Sequence, residues 1–466
     1  MIYRKCLSLA SVIVALLVSV ACVAPPAAPG ASTASSPAAT SATASGGATE
    51  IVSWYYYDQN NTDPQANERV GNSYLAKTIP LFNEQFKDKY TWTNVPHDYN
   101  LVLDLVTAVQ NKGDIPDVMR TAASDLPTFI INNTVQDLTD FIKSAPWYSE
   151  LDPKALTACT GPDGKLYCVP VSESPYVVFY WSDLYPNGFP KTSDEFLKEA
   201  AALKSQGKYA LTYWGSTAFD GEAAGRYYFQ VLSSFGGGYD DGKGGMLLNT
   251  PENIKAIEFM REIVAKGYSS ESVFVGNFEE EAAFKDAEAG AFPTGFFVAY
   301  QYLNPLTSPK GTAYKSATAK DMEDAVKAGE IKIAPSFAPE GKQPGCQNDV
   351  FGFVIPNGAK NPEGAKAYIN WVMDPANGVD WVLNAGGGLP VAKGMQSNAA
   401  FQTEVFTQGA TAAAASNCRA WYGSLLKIPE AKKIIATTLF DLIKSNPTSD
   451  IAATLTKAQD EYNKNK

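Results

Sequence analysis

His97 is the sole histidine of the chain, so at most one imidazole is available to any Ser-His or Cys-His nucleophile pair. That count also excludes a His-rich metal centre, and Pro96-His97-Asp98, with no serine or cysteine motif beside it, reads as a loop histidine. Three other groupings approach a chemical pattern and miss it. Gly237 to Gly244 runs Gly-Gly-Tyr-Asp-Asp-Gly-Lys-Gly, a phosphate-cradling loop except that Gly244 stands where magnesium would need a Ser or Thr. It reads as a Gly-rich hairpin. Asp240 and Asp241 lack the alternating acidic loop and closing Glu of a calcium site. Glu279-Glu280-Glu281 offers carboxylates for acid-base work, but at a helix start it reads as a solvated face favoured by the helix dipole. No catalytic constellation, metal site or cofactor motif is expected.

Composition narrows the classes further. The 466 residues carry 38 Lys plus Arg against 49 Asp plus Glu, a net charge of -11 that argues against a surface built to neutralise phosphates. Nucleic acid is therefore not an expected partner. With 45% hydrophobic and 19% charged residues, the chain has the composition of a globular protein.

Four cysteines lie beyond the first 30 residues: Cys159, Cys168, Cys346 and Cys418. They allow three pairings. Cys159 and Cys168 flank a Pro162-Asp163-Gly164 turn, so a hairpin would set them opposite each other and favour a local bridge, with Cys346 and Cys418 as the remainder. Four reduced buried thiols are the alternative. No CxxC occurs, which removes zinc ribbons and thioredoxin-type redox chemistry.

The elements that would position these residues alternate in type. Ile51 to Tyr57 is rich in β-branched and aromatic residues, and Leu75, Ile79, Phe82 and Phe86 then recur at steps of four, three and four, one apolar helix face. Tyr90 to Val95 reads as a strand, Leu101, Leu105 and Ala108 as a helix, and Ile115 to Met119 as a third strand. The β-α-β-α-β order predicts an α/β fold with helices on a parallel sheet. Later helices have marked starts: Thr192 with Glu195 forms a capping box, and Thr250-Pro251 and Asn361-Pro362 each set a cap before a first-turn proline. The length favours two lobes.

Residues 1–21 read as a secretory signal, with Arg4 and Lys5 ahead of an apolar run that is short of the roughly 20 residues needed to span a bilayer. Val18-Ser19-Val20-Ala21-Cys22 resembles a lipobox, with Ser19 where Leu is usual, and implies a lipid on Cys22. Residues 22–49 are rich in Ala, Ser, Thr, Pro and Gly and read as a flexible tether with a reach of roughly 30 Å. The expected location is the outer face of the cytoplasmic membrane, in a periplasm or at a cell surface.

Three stretches together resemble the central signature of the family 1 extracellular solute-binding proteins, the sugar-type receptors of ABC importers: Asp163-Gly164-Lys165-Leu166-Tyr167-Cys168-Val169-Pro170, Phe179-Tyr180-Trp181-Ser182-Asp183-Leu184 and Pro190-Lys191-Thr192-Ser193-Asp194-Glu195-Phe196. Further marks follow in order: Ile115-Pro116-Asp117-Val118, Phe284, Gly290-Ala291-Phe292, Gly295-Phe296-Phe297, Ile355 to Pro362 and Gly388-Leu389-Pro390-Val391. Cys168 departs from the usual glycine and Trp181 from the usual Asn.

The resemblance implies a two-lobe periplasmic-binding-protein-like fold of type II, with lobe one at 50–172 and 350–388, lobe two at 173–349 and 389–466, and a ligand cleft between them. Carried over by position, it implies ligand contacts at Tyr57, Asp58, Ser124, Asp125, Glu173 and Ser174. On the second lobe it implies Trp214, Phe219, Phe296, Phe297, Asn348, Asp349, Arg419, Trp421 and Tyr422, with Trp421, Asp58 and Phe297 foremost. Rings would stack on the C–H faces of a sugar while polar groups satisfy its hydroxyls. The implied role is binding without chemistry, by a monomer that closes on its sugar and delivers it to ABC permease subunits. The alternatives are a receptor of the same fold for a polyamine or peptide, and a secreted glycan-active enzyme using carboxylates such as Asp58 and Asp125.

Overall fold

A computed structural model describes residues 47–464 apart from 65, 67, 98–100, 219, 220 and 277, and gives the backbone alone of residue 222. The expected signal at 1–21, Cys22 and the tether as far as residue 46 lie outside the described residues. Gly47–Lys466 form one compact unit.

Twelve strands are described: β1 (Thr49–Tyr55), β2 (Tyr90–Pro96), β3 (Val118–Ala122), β4 (Val169–Trp181), β5 (Tyr209–Leu211), β6 (Ala289–Gly295), β7 (Leu306–Thr307), β8 (Ala313–Tyr314), β9 (Ile331–Ala334), β10 (Gly345–Val354), β11 (Leu389–Pro390) and β12 (Asn417–Arg419). The main sheet runs β2-β1-β3-β10-β4-β6-β5, with β11 and β9 on β4, β12 on β10, and β7-β8 apart. The expected parallel trio is present, since β1 pairs in parallel with both β2 and β3.

Two strands organise the rest. Residues Val169–Pro175 of β4 pair with β10, whereas Tyr176–Trp181 pair with β6 and β9, so one buried strand runs through both halves of the sheet. β10 does the same in reverse: Phe351–Val354 lie against β3, and Gly345–Gln347 against β12. The apolar interior forms two clusters, one around Trp92, Tyr368 and Phe353, the other around Tyr228, Tyr239 and Trp421.

Local chemistry accounts for the element boundaries. The helix Arg69–Gln85 buries Leu75 and Phe82 and half-buries Ile79, and Phe86, half-buried, caps its C-terminus. The Thr192 hydroxyl accepts from Glu195 N at 3.1 Å while the Glu195 carboxylate accepts from Thr192 N, the reciprocal pair expected of the box. Thr250 and Asn361 cap their helices as read. The first and third strands are displaced from expectation. β1 ends at Tyr55, and β3 begins at Val118 because Pro116 has no N–H to give a ladder and the Asp117 carboxylate accepts from Val52 N and Asn361 N instead.

The cysteines form Cys159–Cys168 and Cys346–Cys418. A Thr160–Leu166 bridge makes the first a hairpin closure, and direct pairing of Cys346 with Cys418 across β10 and β12 makes the second. The Gly-rich stretch is likewise a hairpin, with Asp240 bridging Met246. His97 lies after β2 with its ring 3.9 Å from that of Trp54 and Nδ1 3.1 Å from the Asp104 carboxylate.

Candidate functional site

A cavity of about 520 Å³ opens where the ends of β1 and β3 face the segment after β5 and three helices, Glu222–Ser234, Glu279–Lys285 and Ile428–Phe440. Tyr56, Arg120, Asp125 and Phe351 form one wall. Trp214, Arg226, Phe278, Glu280, Phe297, Tyr302 and Lys432 form the other. Rings and charges therefore both line a space of the size that encloses small ligands, about 300–1,000 Å³.

The charges are organised by burial. Arg226 lies 2.8 Å from Asp349, which also accepts from the Ser124 hydroxyl at 3.2 Å, and all three residues are buried. Asp125 accepts from the Thr121 hydroxyl at 3.0 Å and Ala122 N at 3.3 Å, with Lys432 Nζ 3.9 Å away. Arg120 lies with Cζ 4.8 Å from the centre of the Tyr56 ring and 4.7 Å from that of Phe351, and donates from Nη2 to Gly386 O at 3.3 Å. That carbonyl is held by a turn in which Gly387 (φ 73°) and Gly388 (φ 99°) are left-handed, and a Cβ on Gly387 would overlap Phe297.

The glutamate run differs from expectation. Glu280 and Glu281 are 3% and 2% exposed, not solvated, because the helix Glu279–Lys285 turns this face inward after Phe278, itself left-handed at φ 68°. Burial pushes the Glu280 carboxyl above its ordinary range, against hydrogen bonds from backbone and from Ser216. Burial pushes Glu281 further, to about 8. Desolvation thus outweighs the helix dipole, which contributes only about 0.3–1 kcal/mol.

Of the residues expected at a ligand, Asp125, Trp214 and Phe297 line the cavity. Ser124 and Asp349 stand directly behind its wall, bonded to each other. Glu173, Ser174 and Asn348 lie where β4 meets β10: Asn348 Nδ2 donates to Glu173 at 2.8 Å, burial raises the Glu173 carboxyl, and Ser174 Oγ accepts from Phe297 N at 3.2 Å. Phe219 lies outside the described residues.

Six others are not among the lining residues. Tyr57 points inward and donates to Ala385 O at 2.9 Å, leaving Tyr56 to face the cavity. Asp58 closes its own turn by accepting from Asn60 N at 2.9 Å. Phe296 packs on Phe179 and Phe406, because the helix that presents Phe297 turns its neighbour into the core. Arg419 donates to Gly237 O and covers the Phe229 ring, and Trp421 and Tyr422 pack with Tyr239 in the second cluster. Conversely, sequence reading passed over Arg120, Arg226 and Lys432. A charge inside the apolar strand Val-Met-Arg-Thr-Ala, and another inside Ala-Ala-Gly-Arg-Tyr-Tyr-Phe, were the available signals.

The mixed α/β sheet with two shared strands and a flanking cavity defines the class: a type II periplasmic binding-protein fold. Solved structures that share it include the following three. Maltose-bound MalE3 of T. maritima has 17% identity, covers 90% of this chain and 100% of its own, and superposes with a TM-score of 0.70. The GacH receptor of Streptomyces glaucescens, studied unliganded and with acarbose, gives 15%, 90%, 98% and 0.71, and a ribitol-bound ABC transporter solute-binding protein of Agrobacterium radiobacter gives 18%, 90%, 98% and 0.67. The family model described as bacterial extracellular solute-binding protein matches residues 78–409, and the chain belongs to that family.

Proposed function

We propose that this chain is the receptor of an ABC importer, capturing a carbohydrate in the cavity, without altering it, and delivering it to permease subunits. The observation that carries the reading is the wall itself, in which the aromatic residues Tyr56, Trp214, Phe297 and Tyr302 line the cavity beside hydrogen-bonding charges that are already fixed by neighbours. Rings suit the C–H faces of a pyranose, and fixed polar groups suit its hydroxyls. The maltose, acarbose and ribitol complexes of proteins with this fold support it. β4 and β10 are the proposed hinge, with lobes divided as the sequence suggests, so a ligand touching both walls would favour closure by its differential affinity. Cys22 is the proposed lipid anchor, holding a monomer outside the cytoplasmic membrane. A polyamine would meet Arg120 in the wall, a cation that no ion pair reaches among the described residues, which weighs against that reading.

The test is a thermal-shift screen against mono- and oligosaccharides, polyamines, amino acids and peptides, with recovery of each hit. A sugar that raises the melting temperature and returns intact is expected. Stabilisation by polyamines or peptides alone, or recovery of a cleaved sugar, would replace the reading with one of its alternatives.

A further inference from the structure

Arg120 is 4% exposed and lies in the cavity wall, yet no ion pair reaches it among the described residues. The two other cations of the wall are matched, Arg226 with Asp349 and Lys432 with Asp125. Tyr56 follows β1 and Phe351 belongs to β10, the two strands that flank β3, and the guanidinium carbon lies over both rings, 4.8 and 4.7 Å from their centres. The guanidinium Nη2 meets Gly386 O, and Nε is buried with no partner. Trp214 Nε1, in the opposite wall, is a second buried donor without an acceptor.

A buried guanidinium that has neither a counter-charge nor a full set of acceptors is costly, and ring contacts offset only part of that cost. A sugar hydroxyl would accept one hydrogen bond and leave the charge. A carboxylate would accept two from the planar fork and cancel it. The uncompensated charge is single, which matches a carboxylate better than a phosphate monoester carrying close to two negative charges. Glu280, on the far wall, is held by Ser216 and backbone hydrogen bonds and is raised by burial, so it is suited to a ligand hydroxyl. Resting on the sugar-receptor reading above, we propose that the solute is an acidic sugar, a uronate or an oligosaccharide containing one, whose carboxylate is received by Arg120.

The test is calorimetric titration of the full chain in mild detergent with matched pairs: glucose and glucuronate, galactose and galacturonate, mannose and mannuronate, and their disaccharides. Glucose 6-phosphate and methyl-esterified galacturonate complete the set. The acid of at least one pair is expected to bind about tenfold or more tightly than its neutral partner, and esterification to remove that advantage. Arg120→Gln is expected to bring the acid-to-neutral ratio near one, and the ester comparison gives the same information from the unaltered protein if that variant does not fold. Equal or tighter binding of neutral sugars, or tighter binding of glucose 6-phosphate than of glucuronate, overturns the carboxylate assignment while the sugar reading stands. Failure of every sugar in the set removes both.

Discussion

Glu281→Gln isolates the cost of a buried carboxyl. Glu281 is 2% exposed, its Oε1 has no partner, and burial raises its pKa from 4.5 to about 8, with Lys285 and Arg69 pulling the other way and Glu280 adding to the rise. Below about pH 4 the group is protonated in both folded and unfolded chains and costs nothing. Between about 4.5 and about 8 the folded chain keeps a proton that the unfolded chain has released, so its contribution to stability falls as pH rises, and it levels off above about 8. That interval corresponds to on the order of 5 kcal/mol, an upper bound that water penetration and relaxation reduce. Glutamine has the same shape and no charge to desolvate. Urea unfolding followed by tryptophan fluorescence should therefore give wild type and variant within about 1 kcal/mol at pH 4, and a variant more stable by roughly 2–5 kcal/mol at pH 8.5. Comparing the two proteins at each pH cancels the other titrating groups. An equal difference at both pH values, or none at pH 8.5, would refute the assignment of a buried, unstabilised carboxyl.

Asp349→Ala removes the carboxylate 2.8 Å from the buried Arg226 and the acceptor of Ser124, and should cost about 3–5 kcal/mol in a denaturation experiment. A loss under about 1 kcal/mol would mean that the pair is open to solvent. Trp214→Ala and Phe297→Ala each remove a ring from the cavity wall and should weaken the bound sugar by roughly 10- to 100-fold in calorimetry, whereas unchanged affinity in both would place the ligand elsewhere. The two disulfides close loops of unequal length, with sequence separations of 9 and 72. Paired Cys→Ser replacement should therefore cost about 2.5 kcal/mol for Cys159–Cys168 and about 4.5 kcal/mol for Cys346–Cys418, and the reverse order in urea midpoints would contradict the loop-entropy account.

What was legible in the sequence was local. The Leu75 and Phe82 spacing, the Thr192 box and the Pro-Asp-Gly turn between Cys159 and Cys168 each depend on neighbours within a few residues, and each appears in the structure. What was not legible depends on distant partners. The resemblance puts a lobe boundary at 172/173, inside Val169–Trp181, but the local residues do not name the strand's partners, which come from residues 289–295, 331–334, 345–354 and 389–390. The same limit applies to rings. Trp214 and Trp421 both follow short strand-like segments, but only the first reaches the cavity, since Tyr239 and Tyr422 enclose the second. Glu280 and Glu281 read as surface because a charge run ordinarily is one, and only the inward turn after Phe278 reverses that.

The measurement that tests the central claim most directly is equilibrium titration of the protein with the sugar panel, with mass analysis of the ligand recovered from the complex. The account predicts saturable one-to-one binding of an unmodified sugar, weakened roughly 10- to 100-fold by Trp214→Ala. Cleavage of the sugar, or saturation by a polyamine or peptide with no sugar bound, would contradict it.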